Sequence, residues 1–176
     1  IGWFYSIQGI VSIFMPGIMG VVADRWVQAQ RLLSLCHLVA GAFMAVAGIY
    51  GLNEGCDISI LFTLYSVSVA FFMPTLALSN SVAFNALTKA GMDTVKDFPP
   101  IRVFGTIGFI CTMWLVDICG FQPTSQQFVV SGALSLALAA YSLTLPAVPT
   151  KVVDGTSADS ETLVQKLGLD AIDRKS

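Results

Sequence analysis

Charged residues are confined to a few short clusters along this chain, and the runs between them (1–23, 32–53, 58–88, 103–116 and 118–150) carry none. These runs show no strict alternation of apolar and polar positions, so they do not read as strands of a barrel. A helix of about 20 apolar residues crosses about 30 Å of hydrocarbon, and backbone polar groups in lipid must be satisfied within the segment. The pattern therefore predicts five membrane-spanning helices, near 1–23, 32–52, 58–84, 101–120 and 127–147. The last division falls at the polar turn Gly120-Phe121-Gln122-Pro123-Thr124-Ser125-Gln126. Residues 151–176 are polar and read as a cytoplasmic tail, with one or two amphipathic turns over 161–169.

Composition supports the same class. Of 176 residues, 55% are hydrophobic and only 11% charged, too few charges to coat a water-soluble globule. The fold class expected is all-α, a polytopic membrane helical bundle.

Charge sets the orientation. All nine Lys and Arg lie in loops 24–31 and 85–100, at Arg102, or in the tail, whereas the opposite connections hold only Glu54 and Asp57. Basic residues favour the cytoplasmic side, so the first residue is expected to be periplasmic and the tail cytoplasmic. A chain that starts outside with Ile1, without a signal-peptide pattern, is expected to lack an inward-anchored helix ahead of it, one short of six.

Little in the sequence favours an enzyme. Cys36, Cys56, Cys111 and Cys119 have no CxxC spacing, and His37 is the sole histidine, so neither a metal site nor a Ser/His/Asp or Cys/His set can be assembled. His37 reads as a packed polar residue near the cytoplasmic interface, with a proton relay as the alternative. No phosphate-cradling GxxxxGK(S/T) loop occurs, and the basic residues are too sparse for nucleic acid. Small residues at four-residue spacing, Gly41 with Ala45 and Ala133 with Ala137, suit close helix packing. Pro16 and Pro74 weaken hydrogen bonding inside long helices.

The turn after the first span reads Gly20-Val21-Val22-Ala23-Asp24-Arg25, followed by Gln30-Arg31. It resembles the glycine-xxx-Asp-Arg loop of the major facilitator superfamily, which in that family joins the second and third helices. That places one helix before this chain, in agreement with the charge pattern. The resemblance implies a partial N-terminal half of a transporter, with Gly20, Asp24, Arg25 and Arg31 as a cytoplasmic gate motif and Gly20 admitting a close neighbouring helix. It further implies that a first helix and a C-terminal half of the same protein are partners of this chain, and that the tail resembles the linker between halves. Read as a plain sequence, the same turn is a charged reverse turn that enforces topology.

A narrower likeness runs through Phe98-Pro99-Pro100-Ile101-Arg102-Val103-Phe104-Gly105-Thr106-Ile107-Gly108-Phe109, with support from Gly2-Trp3 and Tyr5, Met15-Pro16-Gly17-Ile18-Met19-Gly20, and Met73-Pro74-Thr75-Leu76-Ala77-Leu78-Ser79-Asn80-Ser81. These segments are similar to the bacterial nucleoside:proton symporter family of that superfamily. The resemblance implies nucleoside import driven by a proton gradient, with no other cofactor, across the bacterial cytoplasmic (inner) membrane, by alternating access. It also implies that Arg102, Thr106 and Phe109 bind substrate, while the acidic coupling residues lie in the other half.

The residues themselves permit that role. A spacing of i, i+4, i+7 puts the three side chains on one helix face. Arg102 supplies a fork of donors, Thr106 a hydroxyl and Phe109 a ring face, which suits a ligand with a flat base and a hydroxyl-rich sugar. The other reading of Arg102 is an arginine that snorkels to the headgroups. Asp117 is fifteen residues further on, about 22 Å along the axis, and is out of reach as a counter-charge. Gln8 and Asn80 are further candidates for lining the substrate path, or for hydrogen bonding between helices. The competing functions are a carrier of the same superfamily for another small solute, such as a sugar or drug, and a non-transporting membrane scaffold.

Overall fold

The structure, a computed structural model, describes residues 2–148 and contains five helices there: α1 (Gly2–Arg25), α2 (Ala29–Gly51), α3 (Ile58–Lys89), α4 (Thr94–Ile118) and α5 (Gln126–Ser142). The tail 151–176, with its expected amphipathic turns at 161–169, lies outside the described residues. The first four helices are long and apolar enough to cross a membrane; α5 has 17 residues, about 25 Å of helix.

Helix ends differ from the expected ones for local reasons. α4 starts at Thr94 rather than 101, because Asp93 caps it, its carboxylate accepting from Val95 N at 2.9 Å. Pro99 and Pro100 then sit inside the helix, where their missing N–H groups leave carbonyls of the first turn free at the solvent-facing end. α3 runs on to Lys89 and closes at Gly91, whose φ of 70° allows Met92 N to reach Leu87 O at 3.0 Å and Gly91 N to reach Thr88 O at 3.1 Å. Only residues 90–93 therefore connect α3 and α4. α5 stops at Ser142 instead of 147, because Pro146 disfavours helical backbone at Leu145.

α2 is the centre of the bundle, packed on α5 along one side and α3 along another, while α1 lies on α3. The α2–α5 seam is the closest. A Cβ on Gly41 would lie 3.0 Å from Gly132 O, and one on Gly48 would lie 2.7 Å from Val129 N. The face of α5 that enters this seam is Gly132, Ser135, Ala139 and Ser142, whereas Ala133 and Ala137 are exposed. The expected Ala133–Ala137 pair is thus not the packing stripe. Polar side chains select the other face: Ser34 Oγ donates to Ala139 O at 2.7 Å, Ser135 Oγ donates to His37 O at 3.0 Å, and His37 Nδ1 lies 3.2 Å from Ser135 Oγ. On the α3 side, Ser68 Oγ donates to Ala40 O at 2.8 Å. Among the described residues, no buried side-chain nitrogen or oxygen lacks a partner. In an apolar medium such bonds supply part of the helix association that the hydrophobic effect supplies in water.

α4 differs from the rest. None of its 25 residues is buried, and its main neighbour is α3. Phe98 stacks on Phe84 with ring centroids 4.2 Å apart, securing its first turns to α3.

Candidate functional site between α3 and α4

α3 and α4 enclose a cleft of about 570 Å³, within the range of small-molecule pockets. Its α4 wall carries Arg102, Thr106 and Phe109, with Gly105 between the first two. Its α3 wall carries Ser79 and Asn80. Antiparallel helices joined by four residues bring Asn80 level with Arg102, and Arg102 Nη1 donates to Asn80 Oδ1 at 3.3 Å. The guanidinium is thus turned towards the cleft, against a neutral amide.

The cleft is supplied with unspent hydrogen-bonding capacity. Arginine has five N–H donors, and the bond to Asn80 takes one of them. Thr106 Oγ1 lies 3.4 Å from Arg102 O, beyond the usual range of about 2.5–3.0 Å for a hydroxyl bond, so its proton is readily redirected. Phe109 is 65% exposed, leaving a ring face free. A Cβ on Gly105 would meet nothing within 4 Å, so the cleft has open space beside this glycine.

Gln8 is not part of this cleft. It lines a second cavity of about 340 Å³ with Tyr65, Ser68, Thr112 and Ser131 among others. The cause is vertical register: Gln8 is in the second turn of α1, level with the start of α3 and the end of α4, whereas Arg102 is near the other end of the bundle. Phe98, the cleft residue of α4 nearest the α3–α4 turn, was not singled out by sequence reasoning as a site residue. Its place one turn before Arg102, on the same stripe as Thr106 and Phe109, was the available signal.

The turn between α1 and α2 leaves Asp24, Arg25 and Arg31 exposed. A Cβ on Gly20 would meet nothing within 4 Å, so among the described residues no helix makes the expected close approach there. Ala23, Ala29, Leu32, Leu33 and Cys36 form the buried core just beneath the turn, together with Leu78 and Val82. None of the described carboxylates lines either cavity. Asp57 and Asp93 are used as helix caps, accepting from Ser59 N and Val95 N.

The profile of the nucleoside H+ symporter family matches residues 1–173. The chain belongs to this family. Its relatives include the xanthosine permease of Escherichia coli (strain K12), 45% identical over 172 residues, and the nucleoside permease NupG of the same organism, 38% identical over 171 residues. Each alignment covers 97% of this chain but 39% of the relative, so the chain spans about two fifths of the length of these permeases. Two crystal structures of the nucleoside transporter NupG, one of them of a point mutant, superpose with TM-scores of 0.76 and 0.80 at 36% identity, covering 96% of this chain and 40% of theirs. Family membership and the apolar helices make this an integral membrane protein of a transporter family, not an enzyme.

Proposed function

We propose that this chain forms part of a proton-coupled nucleoside importer and that the α3–α4 cleft is its share of the substrate site. The observation that carries this reading is the convergence of Arg102, Thr106 and Phe109 with Asn80 on one cleft. The remaining N–H groups of Arg102 bind acceptors on the base or ribose, Thr106 gives or receives a hydroxyl bond, and Phe109 stacks the base, worth about 1–3 kcal/mol. The sparse burial of α4 suits a helix that faces a solute path on one side, and the transport cycle is rocking of one half of the transporter against the other.

The coupling proton is carried by acidic groups of the C-terminal half, a reading supported by the carboxylates among the described residues, which line neither cavity. The protein resides in the bacterial inner membrane, with the α1–α2 and α3–α4 turns in the cytoplasm, where Arg25, Arg31, Lys89 and Lys96 satisfy the positive-inside bias. Its further partners are the lipid bilayer, a first helix and a C-terminal half.

The test is uptake of radiolabelled uridine and adenosine into cells that express the full reading frame encoding this chain, with and without a protonophore. Concentrative uptake that the protonophore abolishes is the expected result. Uptake of a sugar or drug in competition, with no nucleoside accumulation, overturns the assignment of cargo.

A further inference from the structure

Arg102 occupies a helix with no buried residue, so the packing of α4 does not orient its long side chain. Among the described residues its guanidinium has one hydrogen-bond partner, the amide oxygen of Asn80 at 3.3 Å. Asn80 itself is half-buried on α3, next to the faces that bury Thr75, Leu78 and Val82 in the bundle, so its backbone is firmly placed. One turn further along, Phe84 stacks on Phe98 at 4.2 Å and holds the first turns of α4 in register with α3. The acceptor for Arg102 is therefore on the rigid helix and the donor on the loosely packed one.

We infer that Asn80 is a positioning residue for substrate recognition: its amide oxygen holds the Arg102 fork in the cleft before the ligand arrives. This rests on the reading of the cleft as a nucleoside site. An arginine side chain free to sweep towards headgroups loses its rotamer freedom on binding, and a fixed one has lost it already. The chemistry of the acceptor matters. A neutral amide oxygen engages a single N–H, whereas a carboxylate facing an arginine commonly takes two in a fork and leaves fewer for the ligand. The Asn80 oxygen thus engages one N–H of the guanidinium and leaves four others without a partner among the described residues, available to an uncharged, acceptor-rich ligand.

The experiment is the concentration dependence of uridine uptake by the full reading frame, for the unsubstituted protein, Asn80→Ala and Asn80→Asp, at matched amounts in the membrane. Asn80→Ala is expected to raise KM about tenfold, equivalent to about 1.4 kcal/mol, with Vmax within about twofold. Asn80→Asp still fixes the guanidinium but, as a carboxylate, takes more of its N–H groups and lacks the amide donors; its KM is expected to rise about threefold, short of the Asn80→Ala value. An unchanged KM in Asn80→Ala overturns the inference alone. So does Asn80→Asp behaving no better than Asn80→Ala, which assigns Asn80 to direct ligand contact through its donors. A fall in Vmax or membrane abundance without a change in KM makes the residue a packing contact and likewise overturns it. Absence of uridine uptake by the unsubstituted protein removes the reading of the cleft and this inference with it.

Discussion

Gly132 of α5 lies so close to Ala45 of α2 that a Cβ on the glycine would be 2.7 Å from the Ala45 backbone nitrogen. Backbone stands against backbone here, so no side chain can move aside to make room. Gly132→Ala is expected to push the helices apart and to destabilise the bundle by about 1–3 kcal/mol, as overpacking does elsewhere. Thermal unfolding in detergent checks this, with Gly17→Ala as the comparison. That glycine's Cβ would meet nothing within 4 Å, and its replacement is expected to be neutral or stabilising by up to about 1 kcal/mol.

His37 is tied into the same seam. Ser135 Oγ gives its proton to His37 O, so the bond between Ser135 Oγ and His37 Nδ1 requires the imidazole to donate from Nδ1. Ser135→Ala leaves that buried donor without a partner and is expected to cost about 0.6–1.7 kcal/mol in thermal unfolding. Because the ring is engaged in packing, His37→Gln is expected to retain protonophore-sensitive nucleoside accumulation. Loss of that accumulation in a normally folded His37→Gln protein would make the histidine a proton relay instead.

The helical membrane class follows from the charge-free runs, and the common stripe of Arg102, Thr106 and Phe109 follows from their spacing, because each depends on one segment at a time. What depends on two segments was harder to read. Ala133 with Ala137 and Gly132 with Ser135 are equally small pairs on one helix, and only the partners of Ser34, His37 and Ser135 decide which face turns inward. Likewise the sequence suggested Asn80 and Gln8 as equivalent polar candidates. Their separation into different cavities is set by height in the bundle: Gln8, early in α1, lies level with the first half of α3, whereas Asn80, late in α3, lies level with Arg102 across the short 90–93 connection. Pro99-Pro100 obscured that connection, since a proline pair looks like the approach to a helix and here lies within one capped by Asp93.

Gly105 offers a steric test of the cleft that does not disturb its hydrogen bonds. The position lines the cleft and has open space where a Cβ would be, so Gly105→Ala is tolerated by the helix and is expected to preserve uptake. Gly105→Phe places a large ring beside Arg102 and Thr106 and is expected to reduce uridine uptake at least about tenfold, with the protein still inserted and folded. Equal uptake by the alanine and phenylalanine variants would show that the solute travels by another route.

Arg102 separates recognition of a solute from anchoring at the headgroups. Lysine keeps the positive charge and its topological effect but lacks the planar fork. Arg102→Lys is therefore expected to insert normally while losing about tenfold or more in apparent affinity for uridine, and Arg102→Ala to abolish uptake. Uptake kinetics at matched membrane abundance, with accessibility of cysteines introduced into the connecting turns as the measure of topology, distinguish the two roles. If the residue serves only to hold the inner end of α4 at the headgroups, lysine restores full uptake, and the hydrogen bond at 3.3 Å to Asn80 has no part in binding.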